Sequence, residues 1–264
     1  MGIARNDADF FVPEYGLVGL RPCDSHEVSQ LNELKIDTTF ILEVQHVWDL
    51  GAILMIEQMP IVGGYVGTVE QASISNVATH LASFGMFGAS YHLDGPVHVR
   101  WGITTAREAL QVAGHTARAI DANLDVLIAN QYYPLAGPCT EMCLLETAAQ
   151  TITDACSGRE LASGVASAKG VAEDYTTGIE ARVMGEVAIA ATKLSPEQAN
   201  EVLNNILALY EKNYKEYAVM GGKGKKFHEC YDTVKIVPTE EHLKVYENAM
   251  KKLEECGVPL QGIW

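Results

Sequence analysis

The chain has 264 residues, 48% of them hydrophobic and 20% charged, a composition suited to a folded core in one large domain or two modest ones. Its formal net charge of −15 argues against nucleic acid and anionic membrane as partners, because phosphate binding needs clustered lysine and arginine. With no apolar run near the ~18 residues of a membrane span, no secretory pattern in MGIARNDADFF and six scattered cysteines rather than a disulfide framework, a cytoplasmic protein with reduced thiols is expected.

The runs FILEVQHVW (40–48) and AILMIEQ (52–58) read as strands, the second almost wholly apolar up to Glu57. GGYVG at 63–67 is a turn. Apolar residues at helical spacing, among them Val69, Ala72, Ile74, Val77, Leu81 and Phe84, predict a helix over 68–90. The Asp94-Gly95-Pro96 turn leads to a short strand near 97–101, and a helix runs over 105–120. LDVLIAN (124–130) is a buried-strand candidate ending at Asn130-Gln131. Thr140 caps, and Glu141 opens, a helix over 140–157. Residues 160–165 form one more strand candidate and 180–191 a helix. Ser195-Pro196-Glu197 starts a helix to about 217, the basic run GGKGKK (221–226) reads as a mobile, solvated turn, and Thr239-Glu240-Glu241 opens a final helix that stops at Gly257. Alternating strands and helices over 40–192 imply βα units around a parallel sheet, either open or part of a barrel.

Several residue groups carry chemistry. Glu57 closes an apolar strand, where a carboxylate can be tuned for general acid–base work. Gln131 and Tyr133 follow a strand end, and a neutral amide beside a phenol suits a small polar or cationic ligand. Glu27, in DSHEVSQ, is a third acid–base candidate, with a helix-start acid as its structural alternative. His92, Asp94 and His98 are residue types that suit Zn or Fe(II), against a tight turn whose histidines bond to backbone. Cys139 and Cys143, without a second pair, read as packing for the helix that follows.

The stretches CDSHEVSQLNELKID (23–37), EQMPIVGGYVG (57–67), HLDGPVHVRWG (92–102), NQYYPLAGPCTEMCLLE (130–146) and GVASAKGV (164–171) closely resemble the monomethylamine methyltransferases of methanogenic archaea, from about Asp24 to the C-terminal helix. The resemblance implies an α/β TIM barrel, (β/α)8, in a homo-oligomer. It implies transfer of a methyl group from monomethylamine to the Co(I) corrinoid (cobalamin) of a separate corrinoid protein in methanogenesis, with no cofactor or metal bound directly. The family's electrophile is pyrrolysine, encoded by an in-frame amber codon. Residue by residue, Glu27 and Glu57 match the two catalytic glutamates around the pyrrolysine ring, and Gln131 and Tyr133 match the glutamine and tyrosine of the substrate pocket.

This chain has no pyrrolysine and lacks the family's earlier barrel strands. Residues 1–22 diverge, although MGI at 1–3 resembles the residues just before pyrrolysine and would place Ala4 at its position. The expected organisation is therefore a divergent segment 1–22, then the C-terminal part of an incomplete barrel over 23–264 with a helical region 195–264. The chain reads as the portion of a methyltransferase beyond the amber codon. Two alternatives stand beside this: a non-catalytic binding or assembly subunit that docks the corrinoid protein, and a metal hydrolase using His92, Asp94 and His98.

Overall fold

The computed structural model describes residues 23–30, 34–218 and 223–262; the segment 1–22, with its MGI match and Ala4, lies outside them. From the N-terminal side the main elements are β1 (Ser25–Ser29), α1 (Thr38–Asp49), β2 (Ile53–Gln58), α2 (Val69–Gly85), β3 (Tyr91–Asp94), α3 (Arg107–Asp121) and β4 (Leu127–Asn130). The four strands form one parallel sheet in chain order, β1-β2-β3-β4. Four longer helices follow: α4 (Glu141–Ser157), α5 (Gly178–Ala191), α6 (Pro196–Tyr210) and α7 (Glu240–Glu255).

The sheet has two unlike faces, because side chains alternate along each strand. Val28, Leu54 and Ile56 point to the helix side and pack with Phe40, Val44 and Val47 of α1 and with Ala82 and Phe87 at the end of α2. Ile128 packs with Ala117 and Ile120 of α3. The opposite face carries a thin apolar layer of Met55, Leu93 and Ala129, with Tyr91 and Leu161 against it. Helices on one face and a sequential strand order describe a singly wound arrangement, in contrast to the two-sided covering of a doubly wound sheet. The main core lies elsewhere, where α3, α4, α5, α6 and α7 surround Leu144, Leu145, Ile152, Val187 and Ile206.

Several elements differ from expectation. Residues 40–48 are helical, not a strand: Asp37 accepts the Phe40 amide as N-cap, and the buried residues Phe40, Val44 and Val47 recur at helical spacing inside a β-branched and aromatic run. The strand around the Asp94-Gly95-Pro96 turn precedes it as β3, and after the turn only Val97–His98 pairs, with Ile61–Val62. β1 is a strand, so Glu27 is not a helix-start acid. Residues 160–165 make no strand. They run beside β4 and the residues after it through single contacts, among them the Leu161 amide to the Ile128 carbonyl and the Tyr132–Val165 bridge, while Arg159 and Glu160 turn their polar groups onto β4's backbone.

α2 is helical but ends at Gly85, and it buries a polar face. Ile74 is 71% exposed, whereas Asn76, Thr79, His80 and Ser83 are buried and bond to Asp94, Gln58 and His92. The helix after Ser195 gives way at Tyr210 to a 3-10 turn and a short helix, Tyr214–Tyr217. The described part of the basic run is a packed strap, not a solvated turn. The Lys225 amide donates to the Pro138 carbonyl, Tyr175 Oη donates to the Gly224 carbonyl at 2.7 Å, and a Cβ on Gly224 would sit 2.6 Å from Gly137 Cα. Lys223 and Lys225 are ion-paired to Glu216 and Glu241.

Candidate functional site

The register of β1 against β2 places Ser29 opposite Glu57 and Glu27 opposite Met55. Alternation then puts Glu27, Ser29 and Glu57 on the face away from the helices, toward the strands' carboxyl ends. Ser29 Oγ donates to Glu57 Oε2 at 3.1 Å. Gln131, one residue beyond β4, donates from Nε2 to Glu57 Oε1 at 2.8 Å. Glu57 therefore ties the first strand to the end of the fourth, and the four anticipated residues share one locus.

Charge in this locus is arranged to hold a proton. Burial, then the hydrogen bond and negative charge of Glu57, push the Glu27 carboxyl up to about 8, so near neutral pH the pair holds a proton in the hydrogen bond between the two carboxyls. Tyr133 is pushed up to about 12, first by burial and then by the charges of Glu57 and Glu27. It is a phenol, not a phenolate, close enough to feel the charge of both carboxyls. Glu27 Oε1 is buried with no hydrogen-bond partner among the described residues. A shared proton, a free carboxyl oxygen, an amide and a phenol form a polar cluster whose chemistry is to accept N–H bonds and to exchange one proton.

The backbone beneath these groups is tightly specified. The Gln131 amide donates to the Asp94 carbonyl, and a Cβ on Gly95 would lie 2.8 Å from Gln131 Cβ, so the β3 turn approaches Gln131 only through glycine. Ala168, Lys169 and Gly170 take left-handed φ of 51°, 62° and 66°, a conformation costly for the first two. Their turn is pinned by the Ala168 and Lys169 amides to the carbonyls of Ala136 and Pro134, and Gly170 lies under the Tyr133 ring.

His92, Asp94 and His98 do not converge. His92 shares a 2.7 Å hydrogen bond with Ser83, and burial holds its imidazole well below its usual value. His98 accepts from the Arg100 amide and lies near Glu108. Asp94 is taken by Asn76 and by Arg159, whose Nη2 is 2.8 Å away. Arg159 also pairs with Asp154 at 2.9 Å and donates to the carbonyls of Ala129 and Ala113. This buried ion cluster, behind the sheet and out of the site, was not anticipated. Its one sequence signal is a charged pair, Asp154 and Arg159, flanking a helix end. Cys143 is fully buried in the main core, as expected of packing. Cys139 sits just before α4 with φ of 61°, its thiol in contact with that of Cys230. Ser29 was also missed; only the β1–β2 register reveals it. A separate cavity of about 350 Å3 opens between α3 and α6, walled by Leu110, Leu203 and Leu207 and rimmed by Arg107 and Arg118. It shares no residue with the carboxyl cluster.

The family model for monomethylamine methyltransferase MtmB matches residues 8–258. The chain belongs to this family. It is 56% identical over 235 residues to the monomethylamine methyltransferase MtmB of Methanosarcina mazei, covering 89% of this chain and 50% of that protein. It is 56% identical to MtmB1 of Methanosarcina acetivorans over the same shares. Among solved structures, the Methanosarcina barkeri monomethylamine methyltransferase MtmB superposes with a TM-score of 0.87 at 54% identity, over 91% of this chain and 52% of that one. A hydroxylamine complex of MtmB matches equally well. The chain thus spans about half the length of the MtmB relatives it matches.

Proposed function

We propose that this chain forms the acid, amide and phenol wall of the amine pocket of a monomethylamine methyltransferase, within the C-terminal part of a (β/α)8 barrel. The observation that carries the proposal is the convergence of Glu27, Glu57, Gln131 and Tyr133 at the carboxyl ends of a singly wound parallel sheet, the end where barrel enzymes place their chemistry. Similarity to MtmB proteins, one of them solved as a hydroxylamine complex, supports a small nitrogen compound as ligand. On this proposal the barrel is completed by strands that continue from β1, which pairs only with β2 among the described residues, and the protein is a cytoplasmic homo-oligomer.

In this reading Glu27 supplies or takes the proton as the amine nitrogen changes its charge, and Glu57 holds that proton's position. Gln131 and Tyr133 orient the amine by hydrogen bonds, so that its methyl group faces outward to the methyl acceptor. The acceptor is the cobalt of a corrinoid carried by a partner protein, which supplies the nucleophile. The electrophile that would hold the amine is not among this chain's residues, so these residues bind, orient and move protons around it.

A second reading is a docking or assembly subunit that binds the corrinoid protein. Mixing the chain with monomethylamine and the reduced corrinoid protein separates the two. Methylation of the cobalt, followed by its absorbance and lost in Glu57→Gln, supports the enzyme. Binding of the corrinoid protein without turnover supports the subunit, and neither binding nor turnover refutes both.

A further inference from the structure

Glu146 and Gln150 lie one turn apart on α4, both fully buried, in a helix whose other inward residues are mostly apolar. A buried carboxyl and a buried amide cost stability unless every polar atom is satisfied, and packing alone would favour leucine or methionine there. Their partners show what they do instead. Gln150 Oε1 accepts from Thr104 Oγ1 at 2.6 Å, and the same hydroxyl accepts from the Tyr133 amide at 2.9 Å. Gln150 Nε2 donates to the carbonyl of Gln131. Glu146 accepts from the amides of Leu135 and Ala136 at 2.9 and 3.0 Å and from Thr105 Oγ1 at 2.7 Å.

We infer that Glu146 and Gln150 are positioning residues, which together with Thr104 set the placement of the Gln131 amide and the Tyr133 phenol against Glu57. Neither touches the amine site. Every one of their side-chain hydrogen bonds ends on the loop 131–136, which carries the two pocket residues, on Thr104, which is bonded to Tyr133 of that loop, or on its neighbour Thr105. The spacing fits this role, because residues four apart on a helix lie about 5–6 Å apart on one face and so grip the start and the end of a short loop at two points. The loop's other side is held by the left-handed turn 168–170. The loop 131–136 thus has a hydrogen-bonded support on each side, and such support is what keeps a polar pocket in register.

The inference rests on the amine-pocket reading for its purpose, but its test does not. The readout is the side-chain amide of Gln131, seen by NMR, whose hydrogen bond to Glu57 slows its exchange with solvent. Gln150→Met and Gln150→Leu each remove both bonds at nearly unchanged volume. In both, exchange of the Gln131 amide is expected to quicken about tenfold, equivalent to about 1.4 kcal/mol, with the cooperative thermal transition retained. Thr104→Val should do the same and Thr104→Ser should restore the slow exchange. Ile152→Val, which loosens α4 without touching the loop, should leave the amide unchanged. The inference is overturned if the Gln150 and Thr104→Val variants keep the Gln131 exchange within twofold of the parent. It is equally overturned if Ile152→Val quickens it as much. Methylammonium binding, titrated in parallel, judges the pocket reading separately: a parent chain with slow Gln131 exchange and no affinity for methylammonium defeats that reading and leaves the positioning result standing.

Discussion

Replacing Arg159 with methionine tests the buried ion cluster behind the sheet. The guanidinium side chain is 1% exposed and stands between Asp94, 0% exposed, and Asp154, 6% exposed. It also donates to the carbonyls of Ala129 on β4 and Ala113 on α3. Methionine fills the space but leaves two carboxyl groups facing each other without a cation, and leaves two carbonyls short of a donor. Breaking a buried pair by removing one partner costs roughly 3–5 kcal/mol. At roughly 2–4 °C per kcal/mol for a chain of this size, the expected fall in Tm is about 6–20 °C.

The loss should also depend on pH. Burial pushes Asp154 up to about 6, against the lowering effect of Arg159, and removing the arginine lifts it further. A carboxyl whose folded value lies above its unfolded one binds more protons in the folded state, so its contribution to stability falls as pH rises through that window. The deficit of Arg159→Met relative to the parent should therefore be larger at pH 8 than at pH 5. Differential scanning calorimetry at the two pH values measures it. A deficit under about 2 °C at pH 8, or an equal deficit at both, would refute the claim that Arg159 neutralises two desolvated carboxyls.

Three further predictions concern the site and its supports. In Glu57→Gln, the Glu27 carboxyl loses its charged neighbour and should titrate lower than about 8, yet above the ordinary glutamate range because burial is the larger cause; carbon-13 NMR of the carboxyl reads this, and an unmoved midpoint counts against the shared proton. The parent chain should lose stability as pH rises from about 7 to about 8, since burial raises Glu146 and Glu180 to about 7 and Glu27 to about 8, so the folded state holds the extra protons, while the buried His80 and His92, held below their usual value, oppose this only at lower pH; urea midpoints that rise from about pH 7 to about pH 8 contradict it. Gly224→Ala puts a methyl group 2.6 Å from the Gly137 backbone and should release the strap, seen as tryptic cleavage at Lys223–Lys226 at least about tenfold faster, the population change of about 1.4 kcal/mol of local opening; unchanged cleavage would show that the close approach is dispensable.

Much of the chain was legible from local signals. The caps of α4, α6 and α7 at Thr140, Ser195 and Thr239 fall where the side chains predict, because a hydroxyl before a helical run satisfies free amides wherever the helix later packs. β2 and β4 were legible for a similar reason: short apolar runs bounded by turn residues have few other uses. Residues 40–48 were not, since β-branched residues and an aromatic side chain suit a strand locally, and burial of Phe40, Val44 and Val47 against the sheet decided for a helix. α2 shows the converse. Its period was legible, but its buried face was not, because Asn76 and His80 go inward only where Asp94 waits for them.

The sequence by itself determined the family, through long strings that short-range physics does not explain, and with it singled out Glu27, Glu57, Gln131 and Tyr133 as candidates. That these four meet was decided by tertiary structure. Glu27 and Glu57 are 30 positions apart, and Gln131 lies 74 beyond Glu57. Only the β1–β2 register and the sequential order of four parallel strands bring their side chains to one face and one end of the sheet. The same holds for Glu146 and Gln150, which as sequence are two polar residues in an apolar helix. Their partners on loop 131–136 become visible only when α4 packs beneath it, because hydrogen-bond satisfaction in a core is a property of the assembled layers.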